Sequence, residues 1–471
     1  GENRAVAFSN VIFLFAFLPL TLGIYYLSKN EYKNLILLVA SLLFYAYGEP
    51  QMVLLMIASI VCNYFFALGI VRYRCKKQIL VASILYNLGM LFVFKYLGFA
   101  VDIFNSVSGK GFRIPEIIMP IGISFYTFQA LSYVIDVYNG RTAAQHNILN
   151  LGLYVSLFPQ LVAGPIVRYN SIAEQIQQRN CTLELLGSGA KRFIRGFCKK
   201  IILANNLANV AEYYFTNQPA ENSILGAWIG SICFSLQIFY DFSGYSDMAI
   251  GLGKMFGFEF EENFNYPYIS KTVTEFWRRW HISLSKWFRD YVYIPLGGSR
   301  VSIPRNILNL AIVWLLTGIW HGASYSFIVW GIMYFVALVI EKYVVKPQTH
   351  ENVVFGLLYR IAVLLYINFG WVIFNADGIK QGVRYWLSMA GAYYANPLTD
   401  TMVVRMMREY GVFLAAGILF ATPIAKCLAD KLSKYKVVRL CIIPAFYIGG
   451  GAWAVSYLIL GAHNPFIYFN F

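Results

Sequence analysis

Charged side chains are scarce in this sequence. Asp, Glu, Lys and Arg make up 13% of 471 residues, where a soluble domain carries about 25%. Too few charges exist to cover a water-soluble particle of that length, and the same scarcity excludes an intrinsically disordered chain. Cysteine gives no framework either. The seven cysteines are an odd number with no CxxC pair, so neither a disulfide scaffold nor a zinc site is readable. Internal repeats are lacking, and no Ser-His-Asp triad is recognisable.

Apolar residues are what the chain has: 58% are hydrophobic and the mean hydropathy is +0.56. The composition predicts an all-α integral membrane protein. At about 35–45 residues per helix and connection, about 10–12 crossings are available. Apolar runs fall at Val11–Leu27, Leu35–Tyr47, Met52–Val71, Ile79–Ala100, Ile117–Val137 and Ser223–Phe242. Others follow at Asn306–Trp320, Ser324–Ile340, Val353–Phe374, Val412–Cys427 and Val437–Leu460. Several are short or interrupted by Gly and Pro, which predicts tilted, broken or re-entrant helices. The first run reads as a retained helix, since it lacks a basic leader and a clear cleavage site.

The formal net charge is +15. With no basic soluble domain set apart, it points to cytoplasmic loops and contact with anionic membrane lipids, and nucleic acid is not an expected partner. The basic connection Arg72-Tyr-Arg-Cys-Lys-Lys77 is expected in the cytoplasm. Alternation then puts the Lys29–Lys33 loop inside as well.

Four segments carry chemistry-bearing residues. In Lys191-Arg-Phe-Ile-Arg-Gly-Phe-Cys-Lys-Lys200, the spacing of Arg192, Arg195 and Lys199 predicts one basic helix face. It reads either as a helix at the headgroups or as a rim attracting an anionic donor. In Gln237-Ile-Phe-Tyr-Asp-Phe-Ser-Gly-Tyr-Ser-Asp-Met248, Asp241 and Asp247 lie beside Tyr240 and Tyr245. Six residues amount to about 600° of helical rotation, so the two acids do not share a face. A structural role in holding hydroxyls or a cation competes there with a direct one.

The third segment runs from Phe276 to Gly298. Trp277, Trp280, Leu284, Trp287 and Tyr291 predict an aromatic stripe on one amphipathic helix at the cytoplasmic interface, closed by Pro295-Leu-Gly-Gly298. Arg278, Ser285 and Arg289 fall on another side, and Glu275 is spaced to pair with Arg279. An anchoring helix has no use for His281. In the fourth segment, Trp314-Leu-Leu-Thr-Gly-Ile-Trp-His-Gly-Ala323, His321 lies between two apolar runs and is expected at membrane depth. Desolvation keeps such an imidazole neutral and able to take a proton from a hydroxyl. Two histidines are too few ligands for a metal, and none is expected.

These residues are recognisable together. Trp277-Arg-Arg-Trp-His-Ile-Ser-Leu-Ser285, the following Trp-Phe-Arg-Asp-Tyr-Val-Tyr-Ile-Pro-Leu-Gly-Gly and Gly318-Ile-Trp-His-Gly322 resemble the membrane-bound O-acyltransferase (MBOAT) family. So do Phe158-Pro-Gln-Leu-Val-Ala-Gly-Pro-Ile166, Asp241-Phe-Ser-Gly-Tyr-Ser-Asp-Met248 and Pro465-Phe-Ile-Tyr-Phe-Asn-Phe471. The branch they look most like performs alginate and peptidoglycan O-acetylation. The resemblance implies a single domain over 1–471, with N-terminal helices over 1–110, a catalytic core over 115–345 and C-terminal helices over 346–471. The core carries the interfacial helix over 270–295. The implied fold is a ring of tilted, partly broken helices around a central tunnel.

The resemblance further implies that His321 is catalytic, as base or as transient acyl carrier, with His281 as its second position. Trp277, Arg278, Trp280, Ser285, Arg289, Asp290, Trp320, Tyr240, Asp241 and Tyr245 are expected along the substrate path. Acetyl-CoA is the implied donor substrate, with no permanently bound cofactor. The implied partners are an extracytoplasmic acetyltransferase resembling SGNH hydrolases and a polysaccharide acceptor, across the inner (cytoplasmic) membrane. A transporter or flippase of polysaccharide or lipid intermediates is the competing class, since broken helices with buried Asp and His suit it too.

Overall fold

The computed structural model describes residues 8–115, 117–347, 352–393, 396–461 and 467. Among these residues there are helices, turns and loops and no strand, so the all-helical membrane class expected from composition is borne out. Among the described residues, seven helices are long and apolar enough to cross a membrane: Met52–Arg72, Lys76–Ser108, Ile224–Met255, Ile303–His321, Tyr325–Val345, Val353–Asn375 and Val438–Ile459. Thr401–Phe420 and Ile424–Leu432, bent by 77°, make an eighth if counted as one span. The tally of full-length helices is thus below the 10–12 expected from chain length. Two of the apolar runs fold as shorter helices: the run from Val11 gives Phe13–Leu27, and that from Ile117 gives the 16-residue helix Ile123–Tyr138. A perpendicular span needs about 20 residues.

The chain divides into two compact units. One comprises Gly1–Phe193 and Tyr245–Glu261, the other Ile194–Gly244 and Glu262–Phe471. In the first unit, polar side chains deep in apolar helices satisfy one another. Asn63 and Asn87 are both fully buried and exchange amide hydrogen bonds of 3.1 and 2.8 Å, which clamps two helices where a lone amide would be costly. Arg192 does not face the headgroups alone as its spacing suggested. Its guanidinium lies 2.6 Å from Asp247.

The second unit is built around aromatic side chains, with Trp330, Tyr334 and Trp371 at most 1% exposed. Ile303–His321 and Tyr325–Val345 form a tight hairpin. A Cβ at Gly331 would stand 2.5 Å from the Trp314 carbonyl, so a larger residue would force the two backbones apart. Near the far end of that hairpin, buried Glu341 accepts the backbone N–H groups of Val273 (2.7 Å) and Thr274 (2.9 Å). A carboxylate on these otherwise unsatisfied first-turn donors anchors the short helix Val273–Arg279.

Candidate active site

The single helix expected over 270–295 is broken at the histidine. Val273–Arg279 ends, Trp280 is extended, and His281 takes a left-handed backbone (φ 43°, ψ 56°) before Ile282–Phe288 begins. Neither Gly nor Pro causes the break. The freed backbone groups are taken up by an upstream loop instead: Ile282 N–H donates to the Asn263 carbonyl and Asn265 N–H to that of Arg279, both at 2.9 Å. A non-glycine left-handed residue costs about 1–3 kcal/mol and persists only where its surroundings over-determine it. Here the excursion turns the imidazole off the stripe and into the unit's interior, where it is 2% exposed.

Asn263 also orients that ring. Its side-chain oxygen accepts the backbone N–H of Ser283 (3.2 Å) and the Ser283 hydroxyl (2.9 Å), and lies 3.3 Å from His281 Nδ1. The N–H donor identifies the atom as oxygen, and an oxygen acceptor beside Nδ1 favours the neutral tautomer with its proton there and the lone pair on Nε2. Phe242 closes another side with an edge-to-face contact at 4.6 Å. Burial pushes the His281 pKa well below the ordinary histidine value, and the neighbouring imidazole of His321 acts in the same direction.

His321 is reached differently. It is the last residue of Ile303–His321, 6% exposed, and its ring meets Trp320 at 5.1 Å, Trp330 at 5.1 Å and Phe374 at 5.3 Å. The Trp320 indole also stands 5.9 Å from His281, so one ring touches both histidines. Trp277 joins through Trp330 (5.4 Å) and Tyr334 (4.8 Å), and Trp280 packs on Trp371 at 4.8 Å. Among the described residues, Trp277 Nε1, Trp330 Nε1 and the Tyr334 hydroxyl are buried without a hydrogen-bond partner. Each such group costs about 1–3 kcal/mol. Together they are three buried donors without a protein acceptor.

The structure therefore brings His281, His321, Trp277, Trp280 and Trp320 into one aromatic cluster. Other expected residues go elsewhere. Ser285 donates to the Trp277 carbonyl (3.1 Å) and ties the two short helices together. Arg278 and Arg289 are exposed, and Arg289 pairs with the adjacent Asp290 at 2.6 Å. Glu275 and Arg279 pair as their spacing predicted, at 2.9 Å. Tyr240 donates to the Gly417 carbonyl, Asp241 pairs with Lys200, and Tyr245 belongs to the first unit, where it stacks on Phe8 at 4.6 Å. Sequence reasoning missed Asn263, Phe242, Trp330 and Phe374. Only Asn263 left a signal, as an amide closing the acidic pair Glu261-Glu262 ahead of an aromatic run.

Residues 141–376 match the membrane-bound O-acyltransferase family. A probable alginate O-acetylase of Pseudomonas aeruginosa is 44% identical over 392 residues, covering 82% of this chain and 75% of that protein. A probable alginate O-acetylase of Azotobacter vinelandii is 38% identical over 504 residues, 99% of this chain and 100% of its own. A peptidoglycan O-acetyltransferase of Helicobacter pylori is 30% identical over 521 residues, 98% and 97% of the two chains.

Proposed function

Because this chain belongs to the membrane-bound O-acyltransferase family, and is thus a multi-pass membrane acyltransferase, we propose that it moves acetyl groups from cytoplasmic acetyl-CoA toward a polysaccharide outside the inner (cytoplasmic) membrane. The relatives named for alginate and peptidoglycan O-acetylation support that acceptor class. Delivery through an extracytoplasmic partner resembling SGNH hydrolases is part of the same proposal.

The observation that carries it is the pair of buried histidines on one indole, bordered by unpartnered donors. In the proposed reaction, His321 takes the proton of the acceptor hydroxyl. The oxygen attacks the thioester carbonyl, a C–O bond forms as the C–S bond breaks, and the thiolate leaves with the proton from His321. His281, with its lone pair on Nε2, receives a hydrogen bond from the acceptor and aligns it. The Trp277 and Trp330 N–H groups suit the developing oxyanion.

Charge within the second unit supports one sidedness. Arg300, Arg305, Lys342 and Lys346 fall at the hairpin end opposite His321, which favours the cytoplasm for that end. The His321 end then faces outward. There Ser326 donates to the Ala376 carbonyl (3.3 Å), and the next residue, Asp377, borders a surface cavity of about 270 Å³ with Asn217, Lys380 and Arg384. Such a polar rim suits an acidic or hydroxyl-rich acceptor.

The test is transfer of labelled acetyl groups from acetyl-CoA by protein reconstituted in vesicles. His321→Ala should fold yet lose about 10²–10⁴-fold in rate. Wild-type transfer by that variant overturns the assignment.

A further inference from the structure

One buried ion pair lies outside the chemistry just described. Lys200 Nζ stands 2.5 Å from Asp241 Oδ1, with side chains 1% and 3% exposed. The second carboxylate oxygen accepts the backbone N–H of Ile467 at 2.9 Å. Desolvating two charges costs several kcal/mol per ion, and apolar residues of similar volume often stabilise as well or better. Packing alone is therefore a poor account of this pair.

Its neighbours show what it holds. Lys200 belongs to the π-helical segment Lys199–Ala204 that follows Leu183–Cys198. One turn beyond Asp241, a Cβ on Gly244 would stand 2.8 Å from the Gly196 carbonyl and 3.1 Å from Lys200 N. The two backbones thus touch, and the ammonium has little freedom to leave the carboxylate. On the helix carrying Asp241, three consecutive side chains are each tied to a different element. Tyr240 donates to the Gly417 carbonyl, Asp241 binds Lys200 and Ile467, and Phe242 sets its ring edge-to-face on His281 at 4.6 Å and on Phe264 at 4.9 Å. Phe242 is the one of the three that reaches the histidine. Rotation or sliding of this helix would withdraw that ring and loosen the left-handed residue it presses on.

We propose that Lys200 and Asp241 are positioning residues for His281: their ion pair fixes the rotation and depth of Ile224–Met255 so that Phe242 holds the imidazole against Asn263 and Trp320. The catalytic side of this inference rests on the proposed acetyl transfer; the structural side does not.

The experiment combines two readouts on full-length protein in detergent and in vesicles. With isotope-labelled histidine, five ring signals are expected, and His281→Asn identifies one of them by its loss. Asp241→Asn and Phe242→Leu should each shift that signal and lower kcat about tenfold, with KM little changed. The double variant should lose little more than Phe242→Leu alone, because both act through one contact. Lys200→Met/Asp241→Leu, which leaves no unpaired buried charge, guards against misfolding and should shift the same signal. An unmoved His281 signal in folded Asp241→Asn and in the double apolar variant overturns the proposal, as do losses that multiply. A shifted signal with unimpaired transfer supports the positioning and counts against His281 in the reaction.

Discussion

The two histidines share an indole but are held by opposite physics. His321 ends a 19-residue helix whose position comes from a glycine-packed hairpin and from rings at 5.1–5.3 Å. His281 occupies a break in a helix, in a left-handed conformation, kept there by hydrogen bonds from the 263–265 loop and by one phenylalanine. Apolar packing of a long helix is spread over many contacts and tolerates the loss of any one. A strained polar turn depends on a few directional bonds, each removable by a single substitution. The proposed chemistry is thus fixed on one side by a robust element and on the other by a fragile one.

Exchanging the two rings breaks that comparison most directly. His321→Gln should cost about 10²–10⁴-fold in transfer, the contribution of a general base. His281→Asn should cost only about tenfold, the worth of one aligning hydrogen bond of about 1–1.5 kcal/mol. Asparagine tolerates the left-handed backbone better than most residues, so this variant keeps the break and isolates the ring. Equal losses would mean that His281 carries protons too.

Asn263 sharpens the contrast further. Asn263→Ala removes the acceptor shared by two groups of Ser283 and by His281 and should destabilise the protein by about 1–3 kcal/mol, read as a lower midpoint of thermal unfolding in detergent. Asn263→Asp keeps an acceptor there and should recover most of that loss. Failure of Asp to rescue would show that the amide nitrogen, not the oxygen, matters.

Much of this was legible in the sequence, and the remainder shares one cause. The helical membrane class follows from the scarcity of charge, and the burial of His321 from the apolar runs on either side of it. Rotation along a helix correctly separated Asp241 from Asp247, which pair with Lys200 and Arg192 in different units. Their partners were not legible, because an i to i+4 pattern describes a helix's own face and not what packs against it. The same limit hid the break at His281: periodicity over residues 276–291 fits one helix, and the groups that interrupt it lie 16–18 residues upstream. Arg278, Arg289 and Asp290 were visible as charges near the motif, but charge in a motif does not say which way a side chain turns.

The smallest effect concerns acid stability. Burial and the neighbouring His321 hold His281 well below the ordinary pKa near 6.5. The unfolded chain takes up a proton at this residue around pH 6.5, while the folded chain does so only at much lower pH. Below about pH 6.5 the unfolded state therefore binds the extra proton, and stability should fall by up to about 1.4 kcal/mol per pH unit from this group. Above that pH the group contributes no slope. Unfolding of the wild type and of His281→Asn, compared in detergent at pH 7.5 and 5.5, should show a steeper acid loss for the wild type. The corresponding change at Asn263 refines the point: a carboxylate in Asn263→Asp favours the protonated ring and should flatten the same slope. If His281→Asn and the wild type lose stability in parallel, the fold does not hold this ring neutral, and the lone pair assigned to Nε2 loses its support.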